Sequence, residues 1–201
     1  MVRNDALELL DKGSKLQELG GLDEALTYYQ KALDYLKNTD DKKTEADALL
    51  EVGNIYIERE DYKNGQNYYE KSLEAYKKVE DETGEGYALT GIGLILEKLG
   101  NHAEARKYYL DAHKKFEEEN DKERIAALLS LIGGTYESQG AWEDAIMEYK
   151  RSSSIYGKIG EAHKKEHIND LIHGITDKRS KTKSSRNEKI TAVVYLIGLI
   201  G

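Results

Sequence analysis

At 201 residues the chain is long enough for one compact domain or one short repeat array, and its 34% charged residues place it among soluble proteins. It has no cysteine, which excludes disulfides and thiolate chemistry. The net charge of -8 is unevenly spread: residues 1–176 carry 24 Lys and Arg against 36 Asp and Glu, residues 177–201 six against two, so the body repels phosphate backbones and no nucleic-acid partner is expected.

The N-terminal "MVRNDALELL" lacks the basic region and apolar run of a signal peptide, and a cytoplasmic protein is expected. From there a 40-residue period organises the chain. Gly13, Gly53, Gly93 and Gly133 fall in register, as do Ala25, Gly65, Ala105 and Ala145. So do Tyr29, Tyr69, Tyr109 and Tyr149, and likewise Ala32, Ser72, Ala112 and Ser152. Within a copy the apolar residues recur at helical spacing, as in Leu49, Val52, Ile55, Tyr56 and then Tyr69, Leu73, Tyr76. Between the two helices lie turns such as "LGGLDEA" and "EDYKNGQ", where Gly, Asn or Asp can end one helix and start the next. Each copy therefore reads as a helical hairpin, with small residues where the helices cross closely and the tyrosine column filling the space beside them.

The segments 9–33, 49–73, 89–113 and 129–153 resemble the tetratricopeptide repeat, with its Leu, Gly, Tyr, Gly, Ala, Tyr and Ala at fixed offsets. The 40-residue period is similar to the longer-helix repeats of kinesin light chains and of the G-protein signalling modulators. Two departures are the absence of proline and Gly65 in place of the second Ala. The resemblance implies an all-α fold: a right-handed superhelical array of four hairpins, at about 5–40, 43–80, 83–120 and 123–157, plus a capping helix. The array is expected to occupy residues 1–176.

Residues 157–176 continue a helical pattern through Ile159, Ala162, Ile168, Leu171, Ile172 and Ile175, and "DLIHGI" sits 40 residues after "SLIGGT". A cap helix over about 159–175 is expected, the first helix of an incomplete fifth copy. The basic stretch 177–189, without aromatics, reads as a flexible linker. Residues 190–201, "ITAVVYLIGLIG", form an uncharged tail too short for a helix to cross a bilayer, which takes about 20 residues.

Candidate chemistry is sparse. His163, Glu166 and His167 match the His-x-x-Glu-His spacing of inverted zinc peptidases, but only Asp170, Asp177 and Glu188 follow as carboxylate ligands, and a charged helix face is the better reading. Gly86 and Gly91 have phosphate-loop spacing, yet Ile92 and Gly93 stand where Lys and Ser or Thr are required. No enzyme activity, cofactor or metal is expected.

The resemblance implies a protein–protein interaction module whose groove is lined by the first helix of every repeat. Its columns are those of Leu10, Leu50, Thr90 and Ser130; of Ser14, Asn54, Leu94 and Gly134; and of Gln17, Ile57, Glu97 and Glu137, flanked by Asp11, Glu51 and Glu58. The bias toward carboxylates suits a basic or amphipathic helical peptide. The carboxylate clamp known from the family's chaperone-tail receptors is matched by Asn54 alone. For the tail, Val193, Val194, Leu196, Ile197, Leu199 and Ile200 are expected to dock in the molecule's own or a neighbouring groove. The alternative is a self-assembling or membrane-associated scaffold, in which the basic stretch and the tail meet anionic lipid or a second copy.

Overall fold

The computed structural model describes the backbone of residues 2–198 and the side chains of residues 5–182. The described residues form nine helices and no strand: α1 (Val2–Glu18), α2 (Leu22–Leu36), α3 (Lys42–Glu58), α4 (Tyr62–Lys78), α5 (Glu82–Lys98), α6 (His102–Glu118), α7 (Lys122–Ser138), α8 (Trp142–Ile159) and α9 (Ala162–Gly198). None of them is long and apolar enough to cross a membrane.

From α3 onward a helix starts every 20 residues, at 42, 62, 82, 102, 122, 142 and 162. In every turn but the one between α2 and α3 a left-handed residue sets the spacing: Gly20, Glu60, Glu80, Gly100, Asn120, Gly140 and Gly160 all have positive φ. Each reverses the chain so that carbonyls at the helix end are satisfied locally. At Gly100, for instance, its own N–H donates to the Glu97 carbonyl (2.9 Å) and that of Asn101 to the Leu96 carbonyl (2.8 Å). Helices α3, α4, α5 and α7 open on an acidic cap: the carboxylates of Asp41, Asp61, Asp81 and Asp121 accept from the backbone N–H three residues on.

The chain packs as two units, residues 1–128 and residues 129–201. In the first, each helix from α1 to α6 packs on its sequence neighbour and α3 also meets α5. The core interlocks helices in threes. Ala6 of α1, Leu36 of α2 and Ala48 of α3 form one buried cluster; Ala46 of α3, Tyr76 of α4 and Ala88 of α5 repeat it 40 residues on. Fully burying a side chain such as Leu36 contributes about 1.5–3 kcal/mol, which is why an aliphatic or aromatic residue holds that column throughout.

Helix α5 is the clearest case of sequence dictating packing. A Cβ at Gly93 would stand 2.5 Å from the Tyr109 ring and one at Gly86 2.7 Å from Phe116, while Gly91 faces Tyr69 and Gly84 faces Tyr76. Four glycines thus let aromatic rings from α4 and α6 press onto the α5 backbone from both sides. The Gly86 to Gly91 spacing is accounted for by these two contacts.

In the second unit Gly133 receives the Tyr149 ring in the same way, and α9 packs on α8 with Ile168 and Ile175 buried. Here the structure differs from the sequence reading. The cap helix expected to end near residue 175 runs on to Gly198, through the stretch 177–189 read as a flexible linker. The reason is local. Ser180 and Lys181 occupy the positions where earlier helices have their left-handed residue and cap, and neither Gly nor Pro interrupts 175–197.

Candidate functional site

The first helices of unit 1 present two adjoining cavities. The larger, of about 890 Å³, is lined on α3 by Asp47, Leu50, Glu51 and Asn54, which share one face through their spacing of three and four. Its far wall is the α4–α5 turn and the start of α5, with Tyr76, Val79, Glu80, Asp81, Glu82 and Tyr87. Lys43 and Glu119 also line it. The smaller, of about 320 Å³, lies between α1 and α3 and is lined by Leu10, Asp11, Ser14, Tyr29, Asp47, Ala48 and Glu51. Asp47 and Glu51 therefore belong to both, as a ridge of two carboxylates one helical turn apart.

The electrostatics are unbalanced. Lys43, the one cation of the larger cavity's lining, is 2.5 Å from Asp81, and that bond raises its pKa. Burial opposes ionisation of Asp81, but Lys43 and the Gly84 N–H together hold its carboxyl below the usual range. Glu82 and the buried Glu85 are both held by Lys115 of α6. Asp47 and Glu51 have neutral donors instead: the Tyr76 hydroxyl donates to Asp47 (2.7 Å) and the Asn54 amide to Glu51 (3.1 Å). Like charges four residues apart on a helix repel, and Lys43, bonded to Asp81, acts on Asp47 only through space, so the ridge keeps an excess of negative potential between two partly apolar sockets.

The twelve residues expected to line a groove separate into three sets of four. Leu10, Ser14, Leu50 and Asn54 do line these cavities, and so do the flanking Asp11 and Glu51. The column of Gln17, Ile57, Glu97 and Glu137 instead has an internal task. The Tyr29 hydroxyl donates to Gln17 (3.1 Å), Tyr109 to Glu97 (2.7 Å) and Tyr149 to Glu137 (3.2 Å). Where Ile57 offers no acceptor, Tyr69 turns to Asn54 (2.5 Å). Burial, and for Tyr109 its bond to Glu97, pushes the phenols of Tyr29, Tyr69 and Tyr109 up; Tyr29 rises to about 12. Thr90 donates its hydroxyl to the Gly86 carbonyl of its own helix, and Leu94 is half-buried. In unit 2, Ser130, Gly134 and Glu137 are half-buried, and Glu137 accepts from Lys178 Nζ of α9 (2.8 Å). The tail residues from Val193 to Ile200 lie outside the described side chains.

Sequence reasoning missed Tyr76, Val79, Glu82 and Tyr87, because the site draws on a turn between repeats as well as on first helices. Of the zinc-like string, His163, Glu166 and His167 are exposed on α9. Among the described residues no three His, Asp or Glu side chains converge where a metal could sit.

The tetratricopeptide repeat family matches in three overlapping stretches, residues 5–78, 44–112 and 84–158. The chain belongs to the tetratricopeptide repeat family. No curated protein sequence matches it. Among solved structures it is similar to the apo form of RapI (16% identity, TM-score 0.79, covering 88% of this chain and 64% of that one). It is also similar to a Rap protein complexed with competence and sporulation factor (18%, 0.74, 90% and 50%) and to aspartyl phosphate phosphatase F from Bacillus subtilis (19%, 0.77, 91% and 48%). The tetratricopeptide repeat chain thus spans from 48% to 64% of these proteins, and at such identities the likeness establishes the fold.

Proposed function

We propose that this tetratricopeptide repeat protein is a non-enzymatic adaptor that binds a basic or amphipathic peptide segment on the first-helix face of residues 1–128. The observation that carries this reading is the Asp47–Glu51 ridge, two carboxylates met by neutral donors between two partly apolar cavities. A Lys or Arg of the partner would settle on the ridge while apolar side chains on either side of it enter the sockets, matching potential and shape together. One similar structure, the Rap conjugation gene regulator of the plasmid pLS20, is described as being in complex with the Phr* peptide, which supports a peptide as the class of partner. An apolar tail docked in its own or a neighbouring groove would compete for the same surface.

The test is fluorescence anisotropy with labelled basic amphipathic peptides and an acidic control, at two salt concentrations, on the full chain and on Glu51→Lys. Glu51 bonds Asn54 on its own helix, so the exchange spares the core. Binding of the basic peptides that weakens with salt, and by about tenfold or more in Glu51→Lys, is the expected result. Equal binding of both variants overturns the acidic site.

A further inference from the structure

Helix α9 copies the first helix of a repeat as far as residue 179. Arg179 pairs with Glu143, 36 positions back, as Arg59 pairs with Asp23 (2.9 Å). Lys178 reaches Glu137, 41 positions back, and the same offset joins Gln17 and Glu58 (2.8 Å). Ile168 and Ile175 are buried, like Ala48 and Ala88 or Ile55 and Ile95 in the same columns. What α9 lacks is the second helix that would cover it. Ile172 stays half-buried, whereas Val52, Ile92 and Ile132, its counterparts, are 0%, 1% and 3% exposed.

The sequence beyond residue 180 nevertheless carries second-helix columns. Ser185 falls on the small column of Ala25, Gly65, Ala105 and Ala145, and Ala192 on that of Ala32, Ser72, Ala112 and Ser152. Leu196 falls on the large column of Leu36, Tyr76, Phe116 and Tyr156, and Val193 on that of Leu33 and Leu73. His173 and Lys189 depart from the glycine and tyrosine columns. The missing part is the turn, so both halves of a fifth hairpin stand in one continuous helix. Residues 176 and 185, the counterparts of a touching pair, are then about 14 Å apart at 1.5 Å per residue.

We propose that the uncovered face of α9 is closed by residues 182–198 of a second copy of this chain. In the resulting two-fold pair, each α9 supplies the first helix of one fifth hairpin and the second helix of the other. Exchange of this kind is the low-cost outcome when a hinge between two packed elements straightens, since the contacts used are those the chain already encodes. The interface is self-complementary about residues 180 and 181: position 176 of one copy faces position 185 of the other, and the reverse. Lys178 and Arg179 are neutralised by Glu137 and Glu143 within each copy, but Lys181, Lys183 and Arg186 gather near the two-fold axis. Association therefore strengthens as salt screens them.

The cysteine-free chain makes a specific test available. In the second hairpin a Cβ at Gly65 lies 3.5 Å from the Tyr56 Cβ, within disulfide reach, and the equivalent positions are 176 and 185. Thr176→Cys with Ser185→Cys in the full chain, oxidised gently and resolved without reductant, should give a covalent dimer. A disulfide closed within one chain, or none at all, overturns the proposal. Sedimentation equilibrium of the unmodified chain supplies an independent reading: a dimer that strengthens with salt and weakens about tenfold or more in Leu196→Asp, a loss of roughly 1.4 kcal/mol or more. A monomer at every concentration overturns it equally.

Discussion

Glycine in this chain has opposite meanings at different helical positions. At Gly91 the absent side chain is what admits the Tyr69 ring, whose hydroxyl reaches Asn54 of α3. Gly91→Ala would gain helix propensity but overlap the ring, and over-packing of this kind costs about 1–3 kcal/mol. At Gly174 nothing lies within 4 Å of a Cβ, so Gly174→Ala should gain about 0.5–1 kcal/mol from propensity alone. Urea denaturation of the two variants should move the midpoint in opposite directions. The column of glycines was legible in the sequence because its aromatic partners recur at the same period. The tyrosine hydroxyls were not. Nothing in the spacing says that Gln17, Glu97 and Glu137 accept from Tyr29, Tyr109 and Tyr149, because a carboxylate or amide on a half-buried helix face looks alike whether it meets solvent or a phenol.

At the scale of the element, helices α3 to α7 share a length of 17 residues because their ends are specified, and the specifications at Glu60 and Glu80 are strained. Glu60 has φ 58°, a conformation that costs an L side chain about 1–2 kcal/mol. Its counterparts in the other hairpin turns are glycine: Gly20, Gly100 and Gly140. Glu60→Gly should therefore raise the stability by about 0.5–1 kcal/mol, after the larger unfolded-state entropy of glycine is deducted, and a thermal melt would register it. This also explains what was hidden in the sequence. The 40-residue period is written in side chains, whereas the 20-residue spacing is written in φ angles that Glu60 and Glu80 conceal. The cavity wall formed by Val79, Glu80 and Asp81 was concealed with them. Residues 177–189 misled for the converse reason: a basic, polar composition suggested a linker, while the absence of any breaker allowed α9 to continue.

The molecule as a whole should be sensitive to alkali. The phenols of Tyr29, Tyr69, Tyr76 and Tyr109 are all raised, burial being the largest cause for each. A raised phenol stabilises the fold fully below the unfolded-state value near 10. That contribution is lost as pH rises through the folded value, because the unfolded chain gives up its proton first. With Tyr29 at about 12, the window is pH 10 to 12. Tyrosine ionisation followed by ultraviolet absorbance should coincide with loss of helical circular dichroism across it. Ionisation completed before any helix is lost would show that the phenols are not so constrained.

The regular beat of the helices has one last consequence. Helices α3 to α7, each of 17 residues and begun every 20, are interchangeable as far as their backbones are concerned. Whether a helix plays the glycine part or the tyrosine part is recorded in a few columns of side chains. A chain that stacked one helix out of phase would forfeit no main-chain hydrogen bond, yet would set ring against ring and leave the glycines facing empty space. Phase, like the reading frame of a message, is thus carried by sparse punctuation, and the four glycines of α5 carry more of it than any other helix in unit 1.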